Sequence, residues 1–307
     1  MTSVAVALDA SPSAYQPVGG LSGQLKSVGS ETLGREVERW AKDFMTLYPD
    51  VKIDVEHKGS ATAPATLLRG ISQLAPMSRF MTSDEAAAFE TKYGYKATGV
   101  RVAADALAVY VNKDNPIRCL TLQQVDRIFS STRKGSGGNT IKTWGNAGLT
   151  GDWAARPIAL FGRNTVSGTY EFFRHAVLYG GEYKNDVTPE PDSEAVVANV
   201  GADKSGIGYS GIGFKTANVR AVPLAAYDGR PCIEATEATA GRYPIARYLY
   251  VFVNKNPKQP LDALRTEFIK YVLSKEGQER TIEGGFYPLT NEIREAELNK
   301  LGIAKAK

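Results

Sequence analysis

Short stretches that alternate apolar and polar residues are followed, again and again along this chain, by stretches of helical period, and that alternation limits the fold more than any single motif. Residues 25–29 (LKSVG) read as a short strand, and after Ser30-Glu31-Thr32 comes an amphipathic helix carrying Leu33, Val37, Trp40, Phe44 and Leu47 that ends near Tyr48-Pro49. Val51, Ile53 and Val55 alternate as a strand, a helical turn opens after Ser60, and LAPMSRF runs as a short buried stretch into Ser78-Arg79. Thr82 and Glu85 form a capping box for the next helix. Further strands are read at 106–112, 156–163, 206–211 and 242–255, with helices at 121–130, 193–204 and 261–277. The glycines of GIGYSG (206–211) mark a strand that another backbone or a ligand approaches closely. Alternation on this scale predicts an α/β fold of mainly parallel sheets with helices on both faces. Ligands of such sheets sit at the carboxyl ends of the strands, where helices begin.

The stretch RNTVSGTYEFFRHAVLYG (163–180) lies at such a junction. Tyr170, Phe173 and Val177 share one helical face, and Gly180 is a natural terminator. Ser167 is then at or near the N-cap, where backbone N–H groups without intrahelical partners and the positive end of the macrodipole favour an anion. Gly168 permits close approach, Thr169 adds a hydroxyl donor, and Arg163 brings a planar fork of donors. The stretch reads as half of an oxyanion site, with an ordinary capped helix beside a surface arginine as the alternative.

The chain's 307 residues, 43% of them hydrophobic, suffice for a large core in two lobes or domains. A net charge of +4 without a Lys/Arg block or a basic helix argues against nucleic acid as a partner. No window approaches the roughly 20 apolar residues of a membrane-spanning helix. MTSVAVALDA lacks a basic n-region and is not a complete secretory signal, which leaves a trimmed signal or a cytoplasmic location as alternatives, and residues 1–23 read as a loose leader. His57 and His175 have no metal-ligand spacing, so no metal is expected. Cys119 and Cys232, 113 residues apart, match no metal or redox pattern and are expected as free thiols, with pairing in an exported protein as the alternative.

The strands ADALAVYVN and ARYLYVFVN are alike, and each runs into Val-Asn-Lys followed by Asn-Pro. Two similar passages of the chain between lobes would account for them. One lobe is accordingly expected to comprise 24–106 plus 249–307, and the other 107–248.

In order along the chain, VGSETLG (28–34), KGSATAPATLLRG (58–70), PMSRFMTSDE (76–85), DALAVYVNKDNP (105–116), LTLQQVDRIFS (120–130), RNTVSGTYEFF (163–173), GIGYSG (206–211) and YPIARYLYVFVNK (243–255) resemble the phosphate-binding proteins of bacterial ABC transporters, within the type II periplasmic solute-binding superfamily. The resemblance covers nearly everything from about residue 24 onward, and R-x-x-x-S-G-T before a helix is its most specific piece. It implies two α/β lobes joined by a two-strand hinge, closing on inorganic phosphate in a bending motion. It implies phosphate ligands at Ser30, Thr32, Ser60 and Ser78 in one lobe and at Arg163, Ser167, Gly168 and Thr169 in the other. It also implies delivery to a membrane permease, a periplasmic or extracellular location, a monomer, and no cofactor. The sequence departs from the family pattern at Arg79, which stands where an aspartate usually accepts the proton of hydrogen phosphate. Glu31 is the candidate replacement, since a carboxylate accepts a P–OH and repels fully ionised sulfate. Arg79 would then balance Glu31 and add a guanidinium to the dianion.

Other functions remain to be weighed. A phosphate-ester hydrolase would need a nucleophile with a base, or metal ligands. There is no G-x-S-x-G; the S-x-x-K match at Ser131–Lys134 lacks companion motifs, and KGSGGN (134–139) is not a Walker loop. The same fold could instead take sulfate, molybdate or a phosphonate, or serve as an adhesin or signalling protein.

Overall fold

The computed structural model describes residues 13–303 and divides into two compact units, named here for their place in the chain: a central unit, 105–247, and a flanking unit formed by the described residues on either side of it. The chain enters the central unit within one strand and leaves it within another. In chain order the elements are β1 (Gly23–Val28), α1 (Gly34–Leu47), β2 (Val51–Glu56), α2 (Ala63–Arg69), β3 (Ala75–Met77), α3 (Ser83–Tyr93), β4 (Thr98–Asn112), β5 (Leu120–Thr121) and α4 (Leu122–Phe129). They continue with β6 (Ala159–Arg163), α5 (Gly168–Ala176), β7 (Val187–Glu190), α6 (Ser193–Ala202), β8 (Gly206–Gly211), β9 (Val219–Ala221) and β10 (Leu224–Ala225). The last are β11 (Ala246–Val253), α7 (Ala263–Val272), α8 (Lys275–Glu283) and α9 (Asn291–Lys300).

The flanking unit is built on β1 and β2, which pair in parallel, with β3 beside β1 through a parallel bridge between Ser27 and Leu74. Helix α1 buries the stripe Val37, Trp40, Ala41 and Phe44, as its period requires, but ends with Leu47 exposed. Trp40 donates its indole N–H to the carbonyl of Gly277 at 2.9 Å, and Phe44 meets Phe268 edge to face at 5.4 Å. The single helix expected over 261–277 is broken into α7 and α8. The Ser274 hydroxyl caps α8 by accepting the Gly277 N–H, and Gly277 fits where a Cβ would come within 2.3 Å of the Tyr271 carbonyl. Of the stretch expected as a loose leader, residues 1–12 lie outside the described residues. Tyr15, by contrast, is buried: its hydroxyl donates to Glu267 at 2.8 Å and hydrogen-bonds the Tyr48 hydroxyl, while its N–H donates to Glu276.

In the central unit β6 pairs in parallel with β7 and β8, while β8 and β9 both pair antiparallel with β4. The sheet of the central unit is therefore mixed, while β1–β2 and β5–β10 pair in parallel. Apart from isolated bridges, the antiparallel strand pairs among the described residues involve β4 or β11, the strands through which the chain changes unit, whereas the βαβ segments pair in parallel. Ala108, Tyr110, Val196, Val197, Val200 and Val219 form a core between the sheet and α6. Gly208 of β8 lets that helix close in, since a Cβ there would meet Val196 and Val200 at 2.8 Å.

Cys119 and Cys232 form a disulfide, not free thiols. Separation in sequence was a poor guide to distance, because pairing folds the intervening chain back. Leu120 pairs with Leu224, which in turn bridges Ile233, so the residues preceding Leu120 and Ile233 come together with their Cα atoms 6.0 Å apart. Among the described residues no helix is long and apolar enough to cross a membrane, and no group of three or more His, Cys, Asp or Glu could hold a metal.

Candidate anion-binding site

In the central unit, β6 ends at Arg163 and α5 begins at Gly168, so the expected oxyanion motif occupies one strand-to-helix junction. Ser167 is the N-cap; its Oγ accepts the N–H of Thr169 at 3.1 Å and of Tyr170 at 3.4 Å. Arg163 is buried, its backbone N–H donating to the Tyr209 hydroxyl and its guanidinium to Ser193 Oγ at 2.8 Å and the Pro191 carbonyl at 3.2 Å. Tyr209 is itself fixed by stacking on Phe173 of α5, ring centroids 3.8 Å apart. Ser193 opens α6, whose own N-cap is Asp192, so the Arg163 fork is held at the start of that helix.

Two buried charges beneath this motif were missed as site residues. Arg247 donates through Nε and Nη2 to Asp105 Oδ2 at 2.9 and 2.8 Å, and through Nη2 to Thr169 Oγ1 at 3.0 Å. The signal for them was present: each is a charge inside an apolar run, ALAVYVN after Asp105 and YLYVFV after Arg247, and a buried charge needs a partner. Ser193 had no such signal, because it looks like any helix-opening serine.

In the flanking unit the expected residues lie just beyond the carboxyl ends of adjacent strands. Ser30 follows β1, Ser60 follows β2 and Ser78 follows β3; all three are buried, as is Thr32. Ser60 Oγ accepts the Ser78 N–H at 3.0 Å and lies 3.3 Å from Ser78 Oγ, which brings those two loops together. Ser30 N–H donates to the Pro76 carbonyl at 2.7 Å, and the Ser30 hydroxyl accepts the Leu33 N–H at 3.3 Å. Gly29 makes the first of these possible, since a Cβ there would sit 2.2 Å from the Pro76 oxygen. Glu31 is half-buried, and its carbonyl accepts the Gly34 N–H in the turn that starts α1.

Arg79 has a different carboxylate from the expected Glu31. Its two terminal nitrogens donate to the two oxygens of Glu85 at 2.7 and 2.8 Å. Glu85 is six residues on, in the capping box of α3, and also accepts the Thr82 N–H at 2.8 Å. Burial raises the Glu85 pKa, but Arg79 and the Thr82 N–H lower it more, leaving it below the ordinary carboxylate value.

Comparison with known proteins shows the family. A family model described as a PBP superfamily domain matches residues 15–276. The phosphate-binding protein PstS of Pseudomonas aeruginosa strain PAO1 is 49% identical over 303 residues, covering 98% of this chain and 94% of that one. The chain belongs to the PstS family. A more distant PstS, from Staphylococcus epidermidis strain RP62A, is 30% identical over 84% of this chain and 77% of its own length. Among solved structures, a putative phosphate ABC transporter substrate-binding protein with bound phosphate from Clostridium perfringens superposes with a TM-score of 0.72 at 24% identity, over 87% of this chain and all of that one. An ABC-type phosphate transport receptor from Vibrio cholerae gives 0.67 at 21%, over 86% and 99%. These two likenesses establish the shared fold, the type II periplasmic binding protein.

Proposed function

We propose that this protein binds inorganic phosphate with high affinity and delivers it to an ABC-type phosphate importer. The observation that carries the reading is that Arg163, at the end of β6, and Ser167 and Thr169, at the start of α5, are all buried, in a chain nearly half identical to a PstS along almost its whole length. Phosphate is held by Arg163, Ser167, Gly168 and Thr169 of the central unit and by Ser30, Thr32, Ser60 and Ser78 of the flanking unit. Glu31 accepts the P–OH proton, and Arg79 acts through Glu85, shaping the loop that carries Ser78. Hydrogen bonds to a charged group contribute about 1.5–3 kcal/mol each, so six to ten of them outweigh the cost of stripping water from the dianion. Micromolar affinity needs about 8 kcal/mol net.

The protein works as a monomer outside the cytoplasmic membrane, hands its ligand to a permease, and catalyses no reaction. Calorimetric titration of protein stripped of carried-over ligand tests the binding claim. Phosphate should bind and sulfate should not, with Glu31→Gln narrowing that gap. Unaltered selectivity would remove Glu31 from its role, and preference for sulfate, molybdate or a phosphonate would overturn the choice of ligand. Turnover of a generic phosphate ester that disappears in Arg163→Ala would make the protein an enzyme instead.

A further inference from the structure

Thr169 is surrounded by more machinery than a ligand hydroxyl needs. Its Oγ1 accepts a hydrogen bond from Arg247, and a guanidinium has only donors, so the direction of that bond is not in doubt. Arg247 is in turn held from several sides. Two of its nitrogens are on Asp105 Oδ2, and its guanidinium carbon lies 5.3 Å from the centre of the Phe172 ring. Asp105 is fully buried and its other oxygen accepts the Ile212 N–H at 3.1 Å. Gly211 gives the carboxylate its room, because a Cβ there would lie 3.1 and 3.2 Å from the two carboxylate oxygens. The glycine-rich strand therefore has a second use beside admitting α6.

Resting on the phosphate reading above, we propose that Arg247, oriented by Asp105, is a positioning residue that fixes Thr169 as a hydrogen-bond donor toward the bound anion. The ion pair is neutral as a whole, so what it supplies is direction rather than net charge. With Arg247 donating to Oγ1, the Thr169 hydroxyl is polarised from behind, which makes it a stronger donor. Ser167 is placed alike, since two backbone N–H groups donate to its oxygen. Hydroxyls polarised in this way favour unprotonated ligand oxygens. The single P–OH of hydrogen phosphate is then directed away from α5, so the pair sets which oxygen carries the proton.

The experiment is a phosphate titration of a double-mutant cycle. Replacing both charges together, Asp105→Leu with Arg247→Met, avoids stranding one buried charge and keeps the central unit folded. Affinity should fall about 10-fold, the loss of one well-directed hydrogen bond. In a Thr169→Val background the same replacement should cause no further loss, because Arg247 acts through that hydroxyl. Wild-type affinity in the folded pair variant, or an equal loss in both backgrounds, would overturn the proposal. If circular dichroism shows the pair variant unfolded, Arg247→Lys takes its place. It keeps the charge but lacks the fork that spans Asp105 and Thr169, so phosphate should bind several-fold more weakly; unchanged affinity would count against the role. A wild-type protein that takes up no phosphate would instead refute the functional reading on which this rests.

Discussion

The residues proposed to hold phosphate lie at one junction in the central unit and on three loops in the flanking unit. In the first, a contiguous motif ends a strand and opens a helix, and two buried guanidinium groups, Arg163 and Arg247, are held by named acceptors. In the second, Ser30, Thr32, Ser60 and Ser78 are hydroxyls assembled by strand adjacency, and the nearby guanidinium, Arg79, is engaged by Glu85. Both cysteines of the chain also lie in the central unit, joined to each other. Charge and covalent bracing thus go together in one unit, and hydroxyl donors held by backbone pairing characterise the other. A site built in the first way depends on a few strong groups; one built in the second way depends on many weak ones.

The largest test of that contrast is the disulfide. A closure spanning 113 residues stabilises by about 4–5 kcal/mol in the chain-entropy account. Cys119→Ser with Cys232→Ser should lower the denaturant midpoint of the central unit markedly, and an unmoved midpoint would show that its bracing is non-covalent.

The next concerns Glu36, in the first turn of α1, which is fully buried with Oε1 lacking a hydrogen-bond partner. Burial outweighs its bond to Arg39 and raises its pKa from an ordinary 4.5 to about 7. The folded unit favours the protonated form, so this contribution is complete below pH 4.5, is lost as the pH climbs to about 7, and stays lost above it. The loss amounts to at most about 3 kcal/mol. Unfolding measured from pH 4.5 to 8 should show that slope in the wild type and not in Glu36→Gln; a slope shared by both would assign it to other groups.

Ser60→Ala removes one of many weak groups. It should weaken phosphate binding about 10-fold, one hydrogen bond's worth, as read by calorimetry. A loss near that of Arg163→Ala would erase the difference between the two units. Smallest is Arg79→Gln, which frees the α3 cap and should cost about 1 kcal/mol of stability with little change in phosphate affinity. A large loss of affinity would return Arg79 to the ligand shell.

What could be read from the sequence follows the same division. Arg163 to Thr169 was legible because its residues are consecutive and their helix has a clear apolar face. Ser30, Ser60 and Ser78 were placed only through resemblance to a family, since nothing local says that β1, β2 and β3 lie side by side. The Asp105–Arg247 pair connects residues 142 apart, and only the oddity of a charge within an apolar strand hinted at it. Arg79 was misassigned to Glu31 because a shared role at the anion was taken for contact, whereas the capping box had already placed Glu85 within reach. The disulfide was missed for the converse reason, a long sequence separation that β pairing cancels. The break between α7 and α8 was hidden by unbroken apolar periodicity, although Ser274 and Gly277 had marked it.

The central claim is that Arg163, buried at the end of β6, holds phosphate. Calorimetric titration of inorganic phosphate into ligand-stripped wild type and Arg163→Ala, side by side, tests it most directly. Saturable micromolar or tighter binding is expected for the wild type, weakened at least about 100-fold in a variant that still folds. Two superimposable binding curves from folded proteins would contradict it.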